Sequence, residues 1–191
     1  MEKIRSFVAI LLSDEIREAV ASLIDSLRPS GRSVGWVKPD NLHFTLKFLG
    51  NQSDEQLDRV QGGLAEATTG VAPFELSLVG LGGFPDLRRP RVLWVGASDG
   101  ADAAIVLAQK VEESLHRQGV PREERPFSPH LTIGRLKDPR GFEPLRSAFT
   151  EGCARVFGRL AVSAIHLMRS ELSPKGARYS VLEAFPLSRA H

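Results

Sequence analysis

The chain has a single cysteine, Cys153, in 191 residues, which rules out an internal disulfide and any metal centre built on thiolates. It also lacks an apolar run approaching the roughly 20 residues that cross a bilayer. The short apolar stretch Ile4 to Leu12 is followed at once by Asp14 and Glu15, with no small-residue cleavage site, and reads as a first strand rather than a leader. These absences lead us to expect a soluble, cytoplasmic protein with no membrane contact and no obligate protein partner. Net charge is nearly absent too: +2 at pH 7 is too little for tight, nonspecific binding of polyanions. The basic set is nonetheless skewed, with 19 Arg among 25 cations, and Arg suits bidentate partners such as phosphate. A hydrophobic content of 42% excludes disorder and suits one compact domain over 1–191, or two intimately packed lobes within it.

What is present alternates between two periods. Ser13 caps a helix whose first turn holds Asp14 and Glu15 and whose apolar residues Ile16, Ala19, Val20, Leu23, Ile24 and Leu27 recur at helical spacing until Pro29 and Gly31. A loop then leads to Leu42 to Leu49, an alternating strand closed by Gly50 and Asn51. Ser53-Asp54-Glu55-Gln56 is a capping box opening a second helix. Strands are expected at Phe74 to Val79 and Val92 to Ala97, joined by a long loop rich in Gly, Pro and Arg. A third helix runs from about Ala101 to Gln118, and a strand from Phe127 to Arg135. The tail offers a short helix near Phe142 to Phe149 and strands near Val156 to Val162, Ala164 to Arg169 and Tyr179 to Ala184. Each half holds a strand, a helix and then a His-x-Thr strand, which predicts an α+β architecture with approximate internal duplication.

The two His-x-Thr strands carry the chemistry. Side chains on a strand alternate faces, so His43, Thr45 and Lys47 share one side while Leu42, Phe44, Leu46 and Phe48 share the other. His130 and Thr132 likewise stand opposite Leu131 and Ile133, and Gly134 leaves room beside them for something to approach. The pattern recurs after 87 residues, from 43 to 130. Two strands facing each other across a pseudo-two-fold axis would bring two imidazoles and two hydroxyls to one small anionic group. One neutral imidazole can take a proton from water while a protonated one gives a proton to a leaving oxygen. The hydroxyls can hold oxygens where charge develops. One such motif is commonplace for a half-buried histidine; two in matching settings point to a paired site. The rival chemistry, a two-histidine metal centre, lacks an obvious third ligand, so neither metal nor cofactor is expected.

The segments Trp36-Val37-Lys38-Pro39-Asp40-Asn41-Leu42-His43-Phe44-Thr45-Leu46-Lys47-Phe48-Leu49-Gly50 and Pro129-His130-Leu131-Thr132-Ile133-Gly134-Arg135 together resemble the bacterial and archaeal RNA 2′,3′-cyclic phosphodiesterase family. That family, long called 2′-5′ RNA ligase, belongs to the two-histidine phosphoesterase superfamily. Pro90 to Gly96 and the tail from Ser170 to Leu187, with Tyr179, extend the resemblance over nearly the whole chain. It implies a bilobal fold: two pseudo-symmetric lobes of antiparallel sheet, helices packed outside, and a central cleft. It further implies hydrolysis of a 2′,3′-cyclic phosphate on RNA, or on a small cyclic nucleotide, to a 2′-phosphomonoester. In that scheme His43 is the proton donor, His130 the proton acceptor, and Thr45, Thr132 and Arg135 hold phosphate.

Around this centre the expectations are plainer. Alternation sets Arg135 with Leu131 unless the strand twists or ends at Gly134; it makes Lys47 a solvated neighbour of His43 and Phe48 a core residue. Phe48 and Trp36 are the aromatics that could stack a base. Arg88, Arg89 and Arg91 form a charged loop that could guide RNA, and His116, His166 and His191 read as structural or surface residues. Two other functions stay open: a module that binds nucleotides or RNA ends without turnover, and 2′-5′ ligation as the main activity, since ring opening by a ribose hydroxyl uses the same acid and base.

Overall fold

A computed structural model of the protein describes residues 3–174 and 176–189. Nine strands and four α-helices form among these residues. The expected elements are all present. β1 (Ile4–Leu11) leads to α1 (Asp14–Leu27), whose N-cap Ser13 accepts from the amide of Ile16. β2 (Val34–Trp36) and a 3₁₀ turn (Pro39–Asn41) precede β3 (His43–Gln52). α2 (Asp54–Thr68) opens with both arms of the Ser53/Gln56 capping box formed. β4 (Phe74–Phe84), β5 (Val92–Ala97), α3 (Ala101–Arg117) and β6 (His130–Leu136) follow. A 3₁₀ turn, α4 (Arg146–Glu151), β7 (Val156–Val162), β8 (Ala164–Ser173) and β9 (Gly176–Pro186) complete the chain.

All strands lie in one sheet, in the order β7-β4-β5-β6-β3-β1-β8-β9, with β2 paired to β6; every strand pairing is antiparallel. The middle of this order is its weakest joint. β3 and β6 share a single residue pair, Phe44 with Leu131; on one side lie four strands and on the other, with β2, five. These halves are the two expected lobes. One is built from both ends of the chain, β1 and β3 being completed by β8 and β9; in the other, β5 and β6 from the middle are completed by β4 and β7. α2 and α3 pack on each other and reach the strands of both halves, and α1 packs on β7. One cluster of buried apolar side chains runs from Val8 and Phe44 through Leu131 and Ile133 to Phe157 and Leu160.

Three sequence expectations need correction. β4 does not stop at Val79 but continues through Gly80, Gly82 and Gly83 to Phe84. The glycines give up side-chain volume rather than break the strand: a Cβ on Gly82 would lie 2.1 Å from the Trp94 ring. β2, three residues long and so too short to show periodicity, had read as loop. Third, Lys47 is not a solvated neighbour of His43. Its side chain is 1% exposed, and its Nζ donates to Glu112 of α3 at 2.6 Å and to the Pro121 carbonyl at 2.8 Å. Glu112 also accepts from the amide of Glu123 at 2.9 Å, so the pair ties β3 to the loop that leads into β6.

Removing one member of a buried ion pair leaves the other charge uncompensated. Lys47→Ala therefore lowers unfolding stability by about 3 kcal/mol in urea titrations, while the double variant Lys47→Met/Glu112→Leu recovers most of the loss. A Lys47→Ala protein within about 0.5 kcal/mol of the parent, the range of ordinary surface changes, would contradict the pair's structural role.

Candidate active site

Both histidine strands carry the same irregularity. In β3, Thr45 lies opposite Ala9 and Lys47 opposite Val8, so Leu46 has no partner of its own. In β6, Thr132 lies opposite Trp94 and Gly134 opposite Leu93, so Ile133 has none. Each is a β-bulge, one extra residue that bends the strand and reverses the facing of the residues that follow it. Each sits three residues after the histidine. Before the bulge, alternation holds: Phe44 and Leu131 are buried, while His43, Thr45, His130 and Thr132 are half-buried on the other face. Beyond it, Lys47 turns into the protein while Phe48 and Arg135 turn out, paired with Phe7 and Val92 respectively. Phe48 is thus not core but 58% exposed, and Arg135 does not join the Leu131 face.

A cavity of about 400 Å³ opens on this face; His43, Thr45 and Phe48 line it from β3, Thr132 and Arg135 from β6, and Tyr179 from β9. His130 stands on the Thr132 face of β6, one pleat away, about 7 Å along the strand. Thus the structure brings four of the five predicted residues to one cavity and sets the fifth on the same face beside it.

The two imidazoles are held alike. Nδ1 of His43 lies 2.8 Å from the Asn41 carbonyl, and Nδ1 of His130 lies 2.7 Å from the Ser128 carbonyl. A carbonyl only accepts, so Nδ1 carries the proton in each, and in the neutral ring Nε2 keeps its lone pair. For His43 that nitrogen is 3.0 Å from Thr45 Oγ1, whose hydroxyl donates to it. Behind His43, Phe7 packs with ring centroids 4.8 Å apart and Tyr179 edge-on at 5.4 Å; behind His130, Phe84 stands edge-on at 4.8 Å.

These apolar walls set the proton affinity. Burial is the main cause that lowers the pKa of both imidazoles below the ordinary 6.5, partly offset by the carbonyl bond in each. Only His130 carries a further depressing influence, the nearby positive charge of Arg135. The placement is symmetric and the electrostatics are not.

Other candidates fall away. Trp36 lies opposite Gly134 and donates its indole N–H to the Gly31 carbonyl at 3.1 Å, away from the cavity. The space left by Gly134 is taken by this strand: a Cβ there would lie 2.6 Å from Val34. Arg88 pairs with Asp86, and Arg91 donates to the Lys137 carbonyl; neither lines the cavity. His116 faces the Val120 carbonyl, His166 sits in β8 opposite Ala9, and His191 lies outside the described residues. Arg5, Asn41 and Ser170 line the cavity without having been singled out. No sequence signal marks Arg5 or Ser170, whereas Asn41 adjoins the first motif and its Nδ2 donates to Ala177 of β9 at 2.8 Å. No three of His, Cys, Asp and Glu gather as a potential metal site, and no helix is long and apolar enough to cross a membrane, among the described residues.

The model of the 2′-5′ RNA ligase superfamily matches residues 13–174. An RNA 2′,3′-cyclic phosphodiesterase of Methanothermobacter thermautotrophicus is 36% identical over 97% of this chain and 100% of its own length. One of Archaeoglobus fulgidus is 39% identical over 95% and 99%. Among solved structures, TT0787 of Thermus thermophilus superposes with a TM-score of 0.79 at 32% identity, covering 97% of this chain and 98% of its own. E. coli LigT complexed with 3′-AMP does so with 0.78 at 29% identity, covering 98% and 99%.

Because burial disfavours the charged imidazole, both rings titrate below 6.5 when followed by NMR of the free protein. Arg135→Gln raises the His130 value and leaves that of His43 in place; equal movement of both would show that Arg135 does not distinguish them.

Proposed function

The chain belongs to the 2′-5′ RNA ligase superfamily, and from that membership we propose that it hydrolyses 2′,3′-cyclic phosphate ends of RNA to 2′-phosphomonoesters, with His43 and His130 as its acid and base. The observation that carries this reading is the matched pair of imidazoles, each fixed through Nδ1 to a carbonyl two residues back, with Nε2 left for proton transfer. The substrate is an RNA end or a small cyclic nucleotide, met in the cytoplasm. Residues 1–191 act as one domain, consistent with the apolar cluster that spans both halves of the sheet.

The division of roles is the one family membership implies, and one electrostatic difference accords with it. Arg135 adds a positive charge that disfavours a proton on His130, and in this reading the Nε2 of His130 takes a proton from water as the oxygen attacks phosphorus. His43 lacks that cationic neighbour. An anionic phosphate beside it favours its charged form, and its Nε2–H protonates the 3′ oxygen as the P–O3′ bond breaks. One P–O bond forms and one breaks, a proton enters His130 and one leaves His43, and solvent exchange restores both rings. The hydroxyls of Thr45 and Thr132 and the guanidinium of Arg135 hold the non-bridging oxygens, where fixed donors act most strongly on developing charge.

Incubation with a nucleoside 2′,3′-cyclic phosphate and excess chelator should yield the 2′-phosphate. His43→Ala and His130→Ala should each lower turnover by at least about 100-fold, the scale of acid–base catalysis. Survival of the cyclic phosphate in the presence of active, ligand-binding protein would replace this reading with a binding module. A 2′-5′ linked product from RNA halves, exceeding hydrolysis, would make ligation the main reaction.

The dependence of kcat/KM on pH reports the free enzyme. With both imidazoles below 6.5, the bell should centre on the acid side of 6.5; a centre above pH 7 would contradict the buried pair.

A further inference from the structure

Among the described residues that line the cavity none is acidic, yet two are arginines on different strands, Arg135 of β6 and Arg5 of β1. Arg135 belongs to the phosphate site proposed above. Arg5 stands elsewhere. The residues skipped in the ladder between β1 and β3 belong to β3, so β1 keeps its alternation and Arg5 shares a face with Phe7 and with Ala9, which lies opposite Thr45. Four residues separate Arg5 from Ala9, about 13 Å along the strand, a span that a nucleotide fills and a single phosphate does not. One step past the Ser6–Arg169 pair of the neighbouring ladder comes Ser170 of β8, which also lines the cavity and lies opposite Tyr179. Arg5 is exposed, and among the described residues its guanidinium makes no ion pair and the Ser170 hydroxyl no hydrogen bond. Beside them the wall is Gly50, where a Cβ would meet nothing within 4 Å. A surface arginine is ordinarily just solvated; one on the wall of an acid-free cavity keeps its whole charge for a ligand.

Resting on that first phosphate site, we propose that Arg5 and Ser170 form a second one, which takes the 5′-phosphate of the terminal nucleotide, the group that in RNA links it to the residue before. The cavity of about 400 Å³ then spans one nucleotide, from the 2′-phosphate at Thr45 and Thr132 to the 5′-phosphate at Arg5, and the rest of the RNA leaves past Gly50. A planar guanidinium offers paired donors to two phosphate oxygens, and the serine hydroxyl can donate to a third. The second site makes an RNA end, which carries that linkage, a better ligand than a nucleoside cyclic phosphate, which lacks it.

The test needs no turnover. Calorimetry at low salt compares adenosine 2′-phosphate with adenosine 2′,5′-bisphosphate, which differ only in the 5′-phosphate. The parent protein binds the bisphosphate about 10-fold more tightly, the scale of one hydrogen bond to a charged group. Arg5→Gln brings the two affinities to within about 2-fold, the range of ordinary surface changes, and Arg5→Lys, which keeps the charge but not the fork, falls between. Equal binding of both ligands by the parent, or a preference that survives Arg5→Gln, would overturn the second site. A preference lost in Arg5→Gln, in a protein that turns over no cyclic phosphate, would leave the second site standing and remove the hydrolase.

Discussion

One extra residue in each histidine strand governs what the active face contains. A strand without it would present His43, Thr45 and Lys47 in a row, and His130, Thr132 and Gly134 in another. With it, the row ends at the threonine, and the next outward side chain is Phe48 in one strand and Arg135 in the other. The displaced Lys47 enters the protein, where a lone ammonium would be very costly. Glu112 and the Pro121 carbonyl supply its partners. The bulge, the aromatic on the cavity wall and the inward ion pair are therefore a single structural decision.

The proposed pairing of a proton donor with a proton acceptor asks two histidines to stand in equivalent places yet hold protons unequally. Duplication answers the first demand: each ring is tied to the carbonyl two residues back, and each is walled by aromatic carbon. It cannot answer the second, because like surroundings give like affinities. What differs is the bulge-exposed position: the positive charge of Arg135 disfavours protonation of His130, and Phe48 holds the equivalent place in β3. The same difference puts an aromatic ring and a cation among the residues that line the cavity.

Much of this was legible in the residues themselves. The caps at Ser13 and Ser53, the helical stripes and the strand period of the two motifs all express local propensity, and all formed. The placement of His43, Thr45, His130 and Thr132 followed from alternation because no irregularity precedes the threonines. Phe48 and Lys47 were misplaced because they lie past an unpaired residue that only cross-strand register reveals. β4 looked short because glycine ordinarily weakens a strand, whereas here Gly82 yields to the ring of Trp94, 12 residues on in sequence and across the ladder. Asymmetry between the histidines was invisible for the same reason: it depends on which way Arg135 points.

The crossing of strands between the halves gives the protein a built-in proof of completeness. The half that carries His43 is finished by β8 and β9, the last strands of the chain, and the half that carries His130 borrows β4 from the first part. A nascent chain that has made its first motif still lacks the strand that covers the outer edge of β1, and long-range pairings of this kind form late because their loops are long. A chain broken between β4 and β5 is thus not half an enzyme but an open sheet with no finished lobe.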